Sequence, residues 1–488
     1  MRLRPRHTPA REVALRVLFE VESRSVFADR LLDRKLAESD LLDNDRRLVT
    51  QIVQGTLRQQ RRLDYVLDHL LQGPRPDLPI WIRLCLRMGA FQLLFLDRVP
   101  RHAAVDETVA LARKYGHPGT AGLVNAVLRK LPEALAEITF PDPEIDLVTA
   151  LGVLESHPDW IVSRWLKRYG REGAEALLRA DNQPATVTIR VNRRRTQPQA
   201  LMRLLRRQGV LVAPGRLSPY CLRLEPGAPV FTLPAFHSGL FTVQDEAESL
   251  VVPLLNPRPG ERVLDLCAGP GGKLGHILEW SRGEAQAVGV EIAPARLRKV
   301  EEMLVRLHER ASLVVADGRQ FGRPGSFDRV LVDAPCSGLG VLRRRADARW
   351  RKTPDLFAEM VPLQAELLDR AAELTAPEGV LVYSVCSFEP EECGEQVAAF
   401  LRRHPEWALE RPGPGVNQDV VTKEGWIEVR HDRWDTDAVF AVRFRRQAAI
   451  ARAAALGEVE DGQVDFELED ADLELGADGP LAPEEPAC

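Results

Sequence analysis

Two cysteines lie where open α/β sheets carry reactive groups. One is in Asp333-Ala334-Pro335-Cys336-Ser337-Gly338 and the other in Tyr383-Ser384-Val385-Cys386-Ser387; each segment closes a strand-like run, 329–333 and 380–385. Two thiols and the Asp333 carboxylate are therefore expected together at the carboxyl ends of adjacent strands. A free thiol of pKa about 8.5 is only a few per cent ionised at neutral pH, so nucleophilic chemistry calls for a nearby cation. Taken alone, a cysteine is more often a small buried hydrophobe, and Cys85, Cys221 and Cys393 are read so, with Cys488 a loose terminus. The seven scattered cysteines include no CxxC pair and no Cys/His cluster of zinc spacing, which predicts neither disulfides nor a metal.

The second chemical signal is Val263-Leu264-Asp265-Leu266-Cys267-Ala268-Gly269-Pro270-Gly271-Gly272-Lys273, a buried strand, a glycine-rich turn and a helix start. Such a turn lets a ligand lie against backbone at a helix N-terminus. Neither the GxGxxG spacing of dinucleotide sites nor a Walker motif is present, which leaves a nucleoside-type cofactor without a pyrophosphate. Cys267, Ala268, Gly269, Pro270, Gly271, Gly272 and Lys273 are the expected cofactor contacts, with Cys267 acting through its backbone. Glu291 closes the next strand-like run, 287–291, where an acid accepts hydrogen bonds from ribose hydroxyls. Asp317 follows the run 312–316, also on the carboxyl edge. Any one such acid is more often a helix cap or a surface charge; three sites in register on successive strands favour cofactor binding, to which Asp333 is added.

DAPCSGLG (333–340), YSVCSFEPEE (383–392) and DLCAGPGGK (265–273) closely resemble the motifs of RNA cytosine-C5 methyltransferases. The layout of residues 6–446 is similar to the bacterial 16S ribosomal RNA (cytosine-C5) methyltransferase B family. LVTQIVQGTLRQQRRLD, LRMGAFQLLFLDRVP and GLVNAVLRK resemble the RNA-binding helical domain of the antitermination factor NusB, and FTVQDEAES (241–249) resembles the segment preceding the family's cofactor domain. Two departures are glycine at 269, where alanine is frequent, and glutamate rather than aspartate at 291. The resemblance implies S-adenosyl-L-methionine as cofactor, ribosomal RNA as partner, Cys386 as nucleophile and Cys336 in the release step. Carbon 5 of cytosine is a poor nucleophile until a thiolate adds at carbon 6, and Asp333 can hydrogen-bond the N3/N4 edge as charge develops. Lys273 and the cofactor's sulfonium are the candidate cations. DNA cytosine-C5 methyltransferases attack with the cysteine of a Pro-Cys pair, which Pro335-Cys336 also satisfies; the second cysteine favours RNA. An Asp/Asn-Pro-Pro-aromatic motif of amino-group methyltransferases is missing. The target base must be unpaired or flipped.

These residues need a multidomain scaffold. Residues 1–138 read as an all-α NusB-like bundle of five or six helices, with a break near 59–62. Residues 139–249 read as a small α+β RNA-binding domain, with helical patterns at 160–169, 173–180 and 197–208 and strands near 185–192, 220–224 and 240–243. Residues 250–446 alternate strands (262–266, 287–291, 312–316, 329–333, 380–385) with helices, which predicts an α/β Rossmann-like, doubly wound parallel sheet. Residues 447–488 read as a disordered acidic tail.

The formal charge of −5 hides an asymmetry: twelve acidic residues follow Glu458, itself included, and without them the body carries +7. Basic runs at 193–195, 203–207 and 343–345 suit a polyanion, although solvated helix faces explain any single run better. No apolar stretch approaches the roughly 20 residues of a membrane span, and the basic start lacks the apolar core of a secretory signal, so a cytoplasmic monomer is expected. The bundle is expected to add RNA affinity and nothing to the transfer step. A different reading, an RNA-binding or assembly factor with a retired catalytic domain, is disfavoured by the intact Lys273, Asp333, Cys336 and Cys386.

Overall fold

The computed structural model describes residues 9–24, 26–71, 78–225 and 227–456. The N-terminal part holds seven helices among the described residues: Pro9–Arg24, Ala28–Ala37, Asp43–Arg58, Gln60–Asp68, Ile80–Phe95, Arg101–Tyr115 and Pro118–Ala134. The break falls at Gln59, as the pattern suggested. The helix missed by the sequence reading is Ala28–Ala37, a short helix of 10 residues that buries only Ala28, Leu31 and Leu32. Ile80–Phe95 is apolar nearly all round because it runs through the middle of the bundle, burying Ile82, Leu84, Cys85, Leu86, Met88 and Ala90. Its one buried cation, Arg87, is held by Asp64 and Glu22 at 2.7 and 2.9 Å.

The second part opens with helices Leu147–Leu154 and Asp159–Asn182. The latter is two helices joined at Gly170, whose φ of 67° breaks the ladder where two segments were read. Strands β1 (Val187–Val191), β2 (Val212–Pro214), β3 (Cys221–Leu224) and β4 (Phe241–Val243) form an antiparallel sheet in the order β2-β3-β1-β4. Helix Pro198–Arg207 packs Leu201 and Leu205 into its core. The short β2 was not foreseen.

The third part carries β5 (Arg262–Asp265), β6 (Gln286–Glu291), β7 (Ser312–Val315), β8 (Phe327–Asp333), β9 (Thr375–Val385), β10 (Trp407–Leu409), β11 (Ile427–Val429) and β12 (Val439–Arg446). The order is β10-β12-β9-β8-β5-β6-β7, with β11 paired to β12. Strands β5 to β9 are parallel, as expected; β12 runs antiparallel to β9 and brings β10 and β11 with it, so the sheet is mixed rather than wholly parallel. The chain leaves β5 toward β6 and β7, then returns to its other side for β8 and β9. The reversal lies between β5 and β8, where doubly wound sheets open a crevice at the strand carboxyl ends. The alanine-rich stretch assigned to the tail is instead a helix, Gln447–Leu456, and the acidic residues beyond lie outside the described residues.

The bundle and the third part are joined by the segment 343–352, which follows the DAPCSGLG turn. Ala346 sits in the bundle's core, Trp350 Nε1 donates to Leu57 O at 2.7 Å, Arg351 caps the carbonyls of Val21 and Val26, and Asp347 accepts from Ala28 N at 3.3 Å.

Candidate active site

Strand β5 ends at Asp265 and the chain is stitched at once to both neighbours: Leu266 N donates to Leu331 O at 2.9 Å and Ala268 N to Val290 O at 2.8 Å. Gly271, at a φ of 110°, then turns the backbone into helix Gly272–Trp280. Over this turn lies a cavity of about 510 Å³. Residues 267–273 all line it, together with Asp265, Asp333, Glu248, Gln244 and the aromatic rings of Phe231 and Phe236. The expected turn contacts and Asp333 are thus brought together.

Glu291 and Asp317 are placed differently. Glu291 is buried behind the turn, accepting from Gly269 N at 3.2 Å and Ala293 N at 3.0 Å, with Arg296 at 3.3 Å. Asp317 caps a short 3-10 turn by accepting from Arg319 N at 3.0 Å and pairs with the Arg319 side chain at 2.6 Å, which holds its carboxyl low. Arg319 reaches Glu366 at 2.8 Å as well. Neither acid lines the cavity.

Asp265, quoted in the motif but given no role, proves central. It is fully buried, its Oδ1 has no hydrogen-bond partner, and burial together with the Asp333 charge pushes its carboxyl up to about 7. An orphaned buried acceptor of this kind suits a cationic group on a ligand. Lys273 stays charged despite burial, because Asp333 Oδ2 lies 2.8 Å from its Nζ and Glu248 4.0 Å away; its pKa is raised. Ser384 Oγ donates to Asp333 Oδ1 at 2.7 Å, so the carboxylate is fixed from both sides.

The two thiols meet at the far side of Asp333. Cys336 Sγ and Cys386 Sγ are 3.2 Å apart, and the loops that carry them are sewn together. Ala334 N donates to Ser384 O at 2.9 Å and Gly340 N to Cys386 O at 3.2 Å. Beneath them the fully buried Glu392 accepts from Ser337 N and Ser337 Oγ, each at 2.5 Å, and from Gln364 Nε2 at 3.1 Å. The neighbouring Cys386 and burial push the Cys336 thiol well up. Glu392 lies inside the quoted YSVCSFEPEE motif, but nothing in the sequence distinguishes it from Glu389 and Glu391. Glu389 serves elsewhere, accepting from Trp165 Nε1 at 2.9 Å.

Parts of the basic runs are structural. Arg343 pairs with Asp435 at 2.9 Å and Arg344 with Asp245 at 2.6 Å and Asp437 at 2.5 Å, while Arg193 lies 4.0 Å from the centre of the Tyr220 ring. Arg344 ties the second and third parts together, whereas Arg195, Arg203, Arg206 and Arg207 are exposed. Among the described residues no group of three His, Cys, Asp or Glu could hold a metal, and no helix is long and apolar enough to cross a membrane.

Comparison with known proteins agrees with this arrangement. Residues 252–445 match the family described as 16S rRNA methyltransferase RsmB/F, residues 8–133 the NusB family, and residues 157–231 the ferredoxin-like domain of RsmF/B-like methyltransferases. The probable ribosomal RNA small subunit methyltransferase B of Bacillus subtilis (strain 168) is 32% identical over 90% of this chain and 99% of its own. The ribosomal RNA small subunit methyltransferase B of Citrobacter koseri is 37% identical over 78% of this chain and 89% of its own. The crystal structure of PH0851 superposes with a TM-score of 0.76 at 25% identity, covering 90% of this chain and 99% of that one. The chain belongs to the RsmB/F family of 16S rRNA methyltransferases, with a NusB-type helical domain and a ferredoxin-like domain ahead of the methyltransferase sheet.

Proposed function

We propose that this chain uses S-adenosyl-L-methionine to methylate carbon 5 of a cytosine in small-subunit ribosomal RNA, through a covalent adduct between Cys386 and carbon 6. The observation that carries the reading is the pair of thiols 3.2 Å apart, beside the Lys273–Asp333 pair on the wall of a nucleoside-sized cavity. The domain units that serve it are 1–138 and 139–249 for RNA and 250–446 for transfer.

The bound cofactor supplies an electrophilic methyl group on a sulfonium. Residues 267–273 would offer backbone to its nucleoside and the orphaned Asp265 oxygen an acceptor for its ammonium; Glu291 and Asp317 would reach its hydroxyls only by turning from the Gly269 and Ala293 amides and from Arg319. The cytosine enters against Asp333, whose oxygens keep lone pairs for the N3/N4 edge beyond those used by Lys273 and Ser384. The motif resemblance gives the attack to Cys386, and the raised Cys336 thiol suits a partner that keeps its proton. The Cys386 thiol gives up its proton to solvent, the resulting thiolate bonds to carbon 6, and the electron pair moves through the ring to make carbon 5 nucleophilic. Carbon 5 would take the methyl group as its bond to the sulfonium breaks, leaving a neutral thioether; the carbon-5 proton then goes to solvent, and the Cys336 thiol donates a hydrogen bond to the departing Cys386 sulfur. The electrons of that C–H bond re-form the ring double bond and expel the Cys386 thiolate.

The test is methyl transfer from labelled S-adenosyl-L-methionine to unmodified small-subunit RNA, with digestion to nucleosides. Label in 5-methylcytidine is the expected result. Label in an amino-methylated or ribose-methylated nucleoside would refute the carbon-5 reading, and no transfer at all would favour the assembly-factor reading.

A further inference from the structure

The activating cation expected for the thiols was Lys273 or the cofactor. Lys273, however, is already neutralised by Asp333 at 2.8 Å, with Glu248 at 4.0 Å. A second ammonium also faces the pair. Lys352 is half-buried at the end of the segment 343–352, and its Nζ donates to the carbonyl of Ser337, the residue after Cys336. Among the described residues it has no carboxylate partner within ion-pair distance. A half-buried ammonium bound only to a neutral carbonyl is poorly compensated, and a thiolate beside it would supply the missing charge.

We propose that Lys352 is the positioning cation of the cysteine pair: fixed on the Ser337 carbonyl, it stabilises thiolate at Cys386 and is delivered there by the NusB-type bundle. The proposal rests on the reading of Cys386 as nucleophile. Burial pushes the Lys352 ammonium down, Cys336, Cys386 and Glu392 favour its charge, and Arg345 opposes it. The other charged or titratable groups facing the thiols are Glu392 and Tyr383 from β9 and the loop after it, and Lys273 from the glycine-turn helix. Glu392 disfavours a thiolate, so the net field depends on Lys352.

The bundle enters because it sets where Lys352 can be. Lys352 N donates to Ala348 O at 3.2 Å, inside a stretch gripped by Leu57 through Trp350 and by Val21 and Val26 through Arg351. Arg58 NH2 also donates to Arg343 O at 3.0 Å at the start of the stretch. If Lys352 acts so, the bundle does not stand apart from the transfer step, because the helices that match NusB hold the segment carrying the cation.

The test measures alkylation of Cys386 by iodoacetamide in the full-length protein from pH ~6 to ~10, following the Cys386 peptide by mass spectrometry. Lys352→Met is expected to move the midpoint up by about one pH unit, which is about a tenfold loss of reactivity at neutral pH, with the same limiting rate at high pH. Lys352→Arg is expected to restore most of the shift. Should Lys352→Met fail to fold, Lys352→Gln, which keeps a donor to Ser337 O without charge, gives the same reading. An unmoved midpoint in a folded neutral variant, or a Lys352→Arg protein as impaired as Lys352→Met, overturns the proposal. Methyl transfer is measured on the same preparations. Wild-type protein that methylates RNA while Lys352→Met shows no shift refutes Lys352 alone; a shift in a protein that methylates no cytosine supports Lys352 and refutes the functional reading.

Discussion

The carboxylate of Glu291 occupies the space that a side chain at position 269 would need: a Cβ there would collide with Glu291 Oε2, the same oxygen that accepts from Gly269 N at 3.2 Å. The two departures from the family pattern, glycine for alanine and glutamate for aspartate, are therefore one adaptation. The longer acid reaches under the turn, and the turn gives up its methyl group to admit it.

This coupling predicts non-additive behaviour. Gly269→Ala should displace Glu291 and weaken S-adenosyl-L-methionine binding about tenfold, which is about 1.4 kcal/mol. The double variant Gly269→Ala/Glu291→Asp should recover most of that loss. Calorimetric titration of the four proteins measures it. Equal losses in the single and double variants would show that the two positions are independent.

Asp317 makes a prediction of opposite signs. Its carboxylate is shared between the Arg319 backbone and the Arg319 guanidinium, so a ligand hydroxyl must compete for it. Asp317→Ala should weaken cofactor binding, whereas Arg319→Ala, which frees the carboxylate, should leave binding intact or tighten it. If Asp317 is only a cap, its alanine variant will lose about 1 kcal/mol of stability and no affinity.

How much of this was legible follows from what each residue type records. Strands β5 to β9 were readable because short apolar runs stood between glycine, proline and helical patterns. Strands β10 and β11 are three residues each, and β12 buries Val439 to Phe444 without alternation, so neither period marks them. Cys336, Cys386, Asp333 and Lys273 could be singled out because their types are chemical and sit at strand ends. Glu392 and Lys352 could not, since each acts only through a partner brought near by folding. Arg343 and Arg344 misled for the same reason: a basic run looks alike whether it faces RNA or the carboxylates of Asp245, Asp435 and Asp437.

A buried node behind the gripped segment predicts acid sensitivity. His157 is fully buried, 3.3 Å from Asp181 Oδ2, and His431 Nε2 lies 3.2 Å from Asp181 Oδ1. Arg349 NH2 donates to Asp181 O at 3.1 Å and Arg349 NH1 to Ser156 O at 3.1 Å. Burial and the Arg349 charge push the His157 imidazole down to about 4, so the folded protein leaves it neutral where the unfolded chain, near 6.5, takes a proton. Stability from this group is complete above about 6.5 and falls by about 1.4 kcal/mol per pH unit as pH drops toward 4. Asp181, held low by its neighbours, adds a loss in the same direction at lower pH. Thermal melts between pH ~7 and ~5 should show the decline, and His157→Gln should flatten it. A variant whose slope matches the parent's would place the acid sensitivity elsewhere.

The last prediction separates the two thiols. They are 3.2 Å apart, so either could reach a cytosine placed against Asp333, and position alone does not choose between them. The motifs do: the likeness of YSVCSFEPEE to the RNA enzymes gives attack to Cys386 and release to Cys336, whose thiol its neighbour and burial push up, as suits a hydrogen-bond donor to the leaving sulfur. Cys386→Ala should therefore bind RNA and cofactor yet form neither 5-methylcytidine nor an adduct. Cys336→Ala should attack and transfer the methyl group, then stall, because the departing Cys386 sulfur loses its hydrogen-bond donor and the carbon–sulfur bond is not released. That complex should survive denaturing electrophoresis and contain protein, RNA and one transferred methyl group. Reaction in which Cys386→Ala accumulates the adduct and Cys336→Ala forms none would exchange the two roles and make the Pro335-Cys336 pair the nucleophile, as in the DNA enzymes. Normal turnover by either variant would reduce that cysteine to packing.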